Sequence, residues 1–93
     1  MHRFAWDPRK AEANVEKYGV SFQEAATVFF DPLARIHDDP DHSIEEHREI
    51  IVGHSASGRL TLVCFTERDD VVRIINARRP DRDERRDYEE SIR

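Results

Sequence analysis

The sequence has few of the residues that cross-link a chain or mark linkers between domains. It has a single cysteine, Cys64, so no internal disulfide framework is possible, which is typical of a reducing cytoplasm. It has only three glycines and four prolines, and no repeat, linker or low-complexity segment interrupts it. The 93 residues are therefore expected to form one domain, residues 1–93, around one modest core.

Long apolar runs are also missing. No stretch approaches the roughly 20 apolar residues of a membrane span, and the N-terminus lacks the apolar segment of a signal peptide. The sequence thus predicts a soluble, cytoplasmic protein with no membrane partner. Apolar residues make up 38% of the chain and charged residues another 38%, so the predicted core is small and a partner that covers surface would help the fold.

Lysine is scarce, and arginine takes its place. Thirteen of the fifteen basic residues are arginine, whose planar guanidinium group binds phosphate or carboxylate with two parallel donors. The net charge of −5 argues against a simple basic nucleic-acid binder. The charge is uneven, because residues 1–47 carry five basic and ten acidic residues, whereas residues 71–86 carry six arginines and three acids. Surface ion pairs and an anion-binding site both account for this cluster.

Two helices are predicted in the N-terminal third. The first runs from an N-cap at Asp7, followed by proline, to a left-handed end at Gly19. The second begins with a capping box between Ser21 and Glu24 and ends at residues 31–32. Apolar residues at helical spacing define the expected core faces: Ala11, Val15 and Tyr18 on the first helix, and Phe22, Ala25, Ala26 and Phe29 on the second.

Strand patterns fill most of the remaining chain. A short candidate edge strand is followed by a polar loop and then by three apolar strands with short turns between them, at residues 33–38, 47–55, 60–68 and 71–79. Short turns between consecutive strands indicate antiparallel pairs. The sequence therefore predicts a four-stranded antiparallel meander.

The chain is predicted to end in an unusually polar helix. Asp81 is its N-cap and Glu84 follows three residues later, while only Tyr88 and Ile92 are available to the core. The predicted fold is α+β, with two N-terminal helices on one face of the antiparallel sheet and a C-terminal helix.

The strand at residues 71–79 carries the most informative arginines. Strict alternation puts Arg73 and Arg79 on one face, with Val71, and Arg78 on the other, with Val72. A strand that only filled a core would not need an arginine between two β-branched residues. Arg73 is therefore expected either to pair with a carboxylate or to face an anion.

Three kinds of chemistry fit parts of the sequence. The histidines and carboxylates between His37 and His47 have the donor types of a metal site, but Pro40 and the irregular spacing favour a solvated loop without metal. Cys64 lies in an apolar strand, which favours an unreactive thiol. The arginines suit RNA cleavage by the RNA's own 2′-hydroxyl, which needs charge stabilisation at the phosphate and two proton transfers. Candidates for those transfers are Glu67, His47, His54 and Tyr88, and no cofactor is implied.

Ordered motifs run through FAWDPRKAEANVEKYGVSFQEAATVFFDP, namely W-D-x-x-K, then N, then K-x-G-V-x-F, then A-x-x-V-F. They resemble the opening of the BrnT family of type II toxins, W-D-x-x-K, then N, then K-H-G-[VI]-x-F, then A-x-x-[VI]-F. EEHREIIVGHSASGRLTLVCFTERDDVVRIINARRPDRDERRDYEE follows its later landmarks, E-x-R, G, T-x-R, R-I-I-S-A-R and E-R-x-x-Y. The resemblance covers residues 4–90. It implies a RelE-like fold and a ribonuclease that inhibits translation.

The resemblance also implies partners and site residues. The partners are RNA and a BrnA-type antitoxin with a ribbon-helix-helix domain, through which alone DNA is contacted. Tyr18 stands where the family usually has histidine, and Asn76 where it has serine. The positions that match family motifs are Glu46 and Arg48, Thr66 and Arg68, Arg73 and Arg78, and Tyr88.

The arginines and the matched motifs together predict which residues form the site. The predicted catalytic residues are Arg68 and Arg78, supported by Arg48, with Glu67 as the general base. The predicted RNA-binding residues are Arg73, Arg79 and Tyr88. The antitoxin is predicted to cover the arginine-bearing sheet surface and the last helix. The alternative is a non-enzymatic binding module that acts as part of a DNA-binding regulatory complex.

Overall fold

The computed structural model describes residues 3–39 and 47–93, which contain five strands and three helices. The predicted polar loop and Glu46 fall largely or wholly outside these ranges. Within them, no helix is long and apolar enough to cross a membrane. In chain order the elements are β1 (Arg3–Ala5), α1 (Pro8–Tyr18), α2 (Phe22–Thr27) continued by a 3₁₀ turn (Val28–Phe30), β2 (Arg35–Asp38), β3 (Glu49–His54), β4 (Leu60–Arg68), β5 (Val71–Arg78) and α3 (Arg82–Ser91).

The helix ends follow the predicted caps. The Asp7 side chain accepts a hydrogen bond from the backbone N–H two residues on, and Gly19 ends α1 with a φ of 71°. The Ser21 hydroxyl caps α2 by accepting from the backbone N–H of Glu24 at 3.0 Å. The carboxylate of Glu24 turns instead to Arg59, so that capping box is only half formed.

The sheet contains the expected meander and one further strand. Strands β2 to β5 are antiparallel neighbours, and the sheet order is β1-β5-β4-β3-β2. The prediction of a four-stranded antiparallel sheet is incomplete, because β1 adds a fifth strand that lies parallel to β5. A three-residue strand is too short to show a period in the sequence. It forms because the outer edge of β5 offers unpaired backbone groups.

Asn14 covers the part of that edge that β1 does not reach. Its side-chain amide accepts from the backbone N–H of Ala77 at 3.1 Å and donates to the Ala77 carbonyl at 2.8 Å. It also donates to the Val20 carbonyl at 2.8 Å. The predicted core face of α1 is therefore wrong in part, because Asn14 is buried whereas Val15 and Tyr18 are 47% and 39% exposed.

Two hydrophobic layers cover the two faces of the sheet. On one face, residues from α2 and its flanks pack against the strands, among them Val20, Phe22 and Val28. On the other face, Tyr88 of α3 packs against Val52, Leu60 and Leu62, with Ile92 beside them. The prediction that Tyr88 and Ile92 anchor the last helix is confirmed.

A β-bulge in β5 changes which side chains share a face. Ile75 has no partner on β4, because consecutive residues of β4 pair with the residues on either side of it. The alternation shifts by one residue after the bulge, so Ala77 points into the core and is fully buried. The expectation that Arg73 and Arg78 lie on opposite faces is therefore wrong, since the bulge turns both to the α3 side.

Candidate active site

The face of the sheet that carries α3 also carries three predicted arginines. Arg78 pairs with Leu62 and Arg73 with Thr66, and paired residues of antiparallel strands project to the same side. Leu62 belongs to the layer under α3. Arg68 lies two residues beyond Thr66 on β4 and projects likewise. Arg68, Arg73 and Arg78 therefore share one surface, hereafter the α3 face.

His37 of the edge strand β2 lies on the same face. The register aligns His37 with Ile50, Ile50 with Cys64, and Cys64 with Asn76, in one row across four strands. The sequence placed His37 in the candidate edge strand, residues 33–38, but suggested it only as a possible metal donor. The signal that points to the sheet is the alternation of polar, apolar and polar side chains in residues 35–37 of a short edge strand.

Arg78 is held by a two-bond ion pair. Its Nη1 and Nη2 donate to Oε1 and Oε2 of Glu84 at 2.7 and 2.8 Å. The same carboxylate accepts from the backbone N–H of Asp81 at 2.8 Å and so completes the capping box of α3. Hydrogen bonding by Arg78, with a smaller contribution from His37, lowers the pKa of Glu84 despite partial burial. Arg78 therefore anchors α3 and would share its charge with any bound anion.

Three other arginines have no such restraint. Arg68, Arg73 and Arg79 are exposed, and within residues 3–39 and 47–93 no ion pair of theirs is found. Arg79 follows β5 directly, and its carbonyl accepts from Nη1 of Arg78 at 3.2 Å. These guanidinium groups are available to a phosphate chain.

Cys64 packs beside the hydrophobic layer under α3. Burial raises the pKa of the half-buried Cys64 thiol, and the charge of Asp39 acts in the same direction. The positive charges of Arg78 and Arg48 oppose this shift. A thiol whose pKa is raised stays protonated at neutral pH, in keeping with the unreactive cysteine expected from the sequence.

Glu67 and Tyr88 are placed differently from the arginines. Glu67 pairs with Val72, which is fully buried on the opposite face of the sheet, so Glu67 projects away from the α3 face. Tyr88 is only 4% exposed, and its ring meets His54 edge-on at 6.0 Å. His54 is engaged with Asp31, whose carboxylate accepts from the His54 backbone N–H at 2.7 Å. The catalytic and RNA-binding roles of Glu67 and Tyr88 stay predictions.

One group of side chains has the donor types of a metal site. Single donor atoms of Asp38, His47 and Glu49 lie within 4.8 Å of one another, and His47 Nε2 is 3.2 Å from Asp38 Oδ1. Glu49 pairs with the core residue Phe65, which puts this group on the face opposite the arginines. Asp38 and His47 are well exposed, and acidic groups of this kind are common without an ion.

A family model described as "Ribonuclease toxin, BrnT, of type II toxin-antitoxin system" matches residues 6–84. The chain belongs to the BrnT family. The 1.1 Å crystal structure of the Brucella abortus ribonuclease toxin BrnT has a similar fold, with a TM-score of 0.68 and 16% sequence identity over 88% of this chain and 100% of that one. No protein of curated function matches the sequence significantly.

Membership of the BrnT family confirms the resemblance seen in the sequence. A BrnT-family chain is a ribonuclease toxin of a type II toxin–antitoxin system, so its target is RNA and its partner is an antitoxin. Because the family is described as a ribonuclease, the match does not support the alternative of a non-enzymatic binding module. The matched region ends at Glu84, the residue that holds Arg78, and Tyr88 lies beyond it.

Proposed function

We propose that the α3 face cleaves RNA by attack of the RNA's own 2′-hydroxyl on the adjacent phosphate, without a metal ion. The observation that carries this proposal is the shared face of Arg68, Arg73, Arg78 and His37, to which the bulge in β5 is essential. A row of guanidinium groups supplies the charge stabilisation that the pentavalent transition state requires.

The arginines divide into two roles. Arg68, Arg73 and Arg79 are exposed and bind the phosphate backbone, which is the sequence-independent part of RNA affinity. Arg78, which is held by Glu84 of α3, and Arg48 stabilise the charge that develops on the non-bridging oxygens. Glu84 orients Arg78 through two hydrogen bonds.

His37 is the general base in this proposal. It accepts the proton of the 2′-hydroxyl while the 2′-oxygen bonds to phosphorus. The bond from phosphorus to the 5′-oxygen of the next nucleotide breaks, and that oxygen takes up a proton from solvent water. The products are a 2′,3′-cyclic phosphate and a 5′-hydroxyl end. Glu67 was the base predicted from the sequence, but it projects from the other face.

We further propose that cleavage of messenger RNA in the cytoplasm inhibits translation and that a BrnA-type antitoxin blocks the α3 face. Arg68 and Arg73 form a positive surface on a chain whose net charge is −5. An acidic antitoxin segment would match that surface and exclude RNA. A ribbon-helix-helix domain on the antitoxin would supply the DNA contacts. Hydrogen exchange should then show protection at residues 71–92 in the complex, and protection confined to α1 and α2 would contradict this arrangement.

Cleavage is tested with purified protein, both on free RNA and in a cell-free translation extract. The wild type should yield 2′,3′-cyclic phosphate ends in excess EDTA on free RNA, and it should inhibit translation in the extract. Arg78→Ala and Arg48→Ala, at the two arginines proposed to stabilise the transition state, should each slow cleavage by roughly 100-fold or more. Arg93→Ala is the control for loss of one exposed positive charge at the far end of α3. Absence of cleavage in both assays, or full activity of both variants, would overturn the proposal.

A further inference from the structure

A cavity of about 350 Å³ lies between α3 and the β2 edge of the sheet. Its floor is formed by Val52, Leu62 and Tyr88, each at most 4% exposed. The volume lies at the lower end of small-molecule sites, which combine apolar walls with a few polar groups. The remaining lining residues are polar except for one: Arg35, Ile36, His37, Glu84, Asp87 and Ser91.

The Tyr88 hydroxyl is unsatisfied in this setting. Its oxygen is buried and, within residues 3–39 and 47–93, has no hydrogen-bond partner. Burial raises the pKa of this hydroxyl, which therefore stays a neutral donor and acceptor. A buried hydroxyl without a partner is costly, and such groups are rare in folded proteins. Because this oxygen has almost no accessible surface, Tyr88 lines the cavity with its other atoms and not with its hydroxyl.

The cavity adjoins the proposed catalytic groups. Two of its lining residues, His37 and Glu84, also belong to the α3 face, where Glu84 holds Arg78. A phosphate bound by Arg78 would thus lie beside the cavity mouth. A nucleotide whose phosphate is held there has its base within reach of the cavity.

We infer that the cavity binds one unpaired nucleobase of the RNA, with guanine preferred. This inference rests on the proposed function of the α3 face. Bases of single-stranded RNA are recognised by stacking and by hydrogen bonds to their Watson–Crick edges. The Asp87 carboxylate, which has no hydrogen-bond partner among the described residues, accepts from N1–H and the N2 amino group of guanine.

An apolar side chain of a protein partner is the competing occupant. It would contact Val52 and Leu62 but would place no donor beside the Asp87 carboxylate. A planar base can pack its face on the same apolar residues and bring its N–H donors to that carboxylate. The Asp87 carboxylate therefore favours a base.

The test is a titration of isotope-labelled protein with nucleotides, followed by amide NMR. Guanosine 3′-monophosphate should shift the signals of Ile36, Asp87 and Ser91, whereas uridine 3′-monophosphate should bind at least about tenfold more weakly. Ribose 5-phosphate, which has no base, should shift only residues near Arg78. Asp87→Asn should weaken guanosine 3′-monophosphate about tenfold and leave the uridine nucleotide unchanged. Glu90→Gln, on the same helix but outside the cavity lining, is the matched control.

A second variant tests the cavity without altering a charge. Ser91→Trp fills the mouth and should abolish base-dependent shifts, while Glu90→Trp should not. Identical shifts with ribose 5-phosphate and with both nucleotides would overturn the inference. The inference would also be overturned if antitoxin shifted the amide signals of the cavity-lining residues while neither nucleotide did. Either result would leave RNA cleavage by the wild type intact, whereas failure of the proposed function would appear as loss of cleavage itself.

Discussion

The guanidinium group of Arg78 and the carboxylate of Glu84 form two parallel hydrogen bonds, of 2.7 and 2.8 Å, that join the end of β5 to the first turn of α3. Glu84 also closes the helix cap through the backbone N–H of Asp81. One carboxylate therefore fixes both the start of α3 and the orientation of an arginine proposed to act on phosphate. Stability and activity are coupled at this pair.

Glu84→Gln should separate the two effects. Both partners are about one-third exposed, so solvent screening limits the loss in unfolding free energy to about 1 kcal/mol. Arg78 loses its counter-charge and should bind RNA as tightly as before or a few-fold more tightly. Urea unfolding and RNA binding measure the two quantities. Asp83→Asn is the control, because Asp83 pairs only with the exposed Arg86 on the described chain. Weakened RNA binding with unchanged stability would contradict this account of Glu84.

Glu24 should make the fold sensitive to acid. Hydrogen bonds from Arg59, Ser55 and Ser57 lower the pKa of Glu24 from 4.5 to about 2, although burial opposes them. Because the folded-state pKa lies below the unfolded one, this contribution is complete above about pH 4.5 and is lost as the pH falls toward 2. Glu24→Gln should lower the unfolding free energy at pH 7 by on the order of 1 kcal/mol after screening.

The check is urea unfolding of wild type and Glu24→Gln between pH 7 and pH 3. The difference between the two proteins should shrink as the pH falls, even though other carboxylates also titrate. Glu12→Gln, at an exposed position of α1, should differ little from wild type at any pH. A difference that stays constant across the whole range would show that the ionised form of Glu24 is not what stabilises the fold.

Asn14→Leu should be strongly destabilising although leucine has a similar size and is apolar. The change leaves the N–H and carbonyl of Ala77 and the carbonyl of Val20 without their partner in a buried place. We expect a loss of about 2–4 kcal/mol in unfolding free energy. Thermal and urea unfolding measure it, with Ala13→Leu on the exposed side of α1 as the control. A cost below that of the control would refute the bridging role of Asn14.

His37→Gln should reduce cleavage by about 100-fold or more while leaving the fold intact, because it removes the proposed general base. Glu67→Gln should have little effect, since Glu67 projects from the opposite face. His54→Gln is the control for loss of a histidine engaged elsewhere, with Asp31. Rates under single-turnover conditions decide between the two bases. Full activity of His37→Gln together with loss in Glu67→Gln would restore the base first predicted from the sequence.

Helix ends, the antiparallel meander and the family were determined by the sequence itself. The N-caps at Asp7, Ser21 and Asp81 act on backbone groups within the next three residues, so local sequence is sufficient to predict them. The meander follows from short turns between alternating strands. Asp69 and Asp70 provide one such turn by adopting positive φ values of 53° and 65°. Family motifs are likewise a property of residue order alone.

Which polar side chains lie together was decided only by the tertiary structure. Ile75 is the extra residue of the bulge because of how β4 pairs with β5, and nothing in residues 71–79 alone shows that pairing. The shift it causes brings Arg73 and Arg78 to one face. His37 lies on that face because β2 pairs with β3, β3 with β4, and β4 with β5. Alternation along one strand is a local property of the sequence. Register between strands depends on contacts between residues far apart in sequence, so the sequence alone does not show which residues form the candidate site.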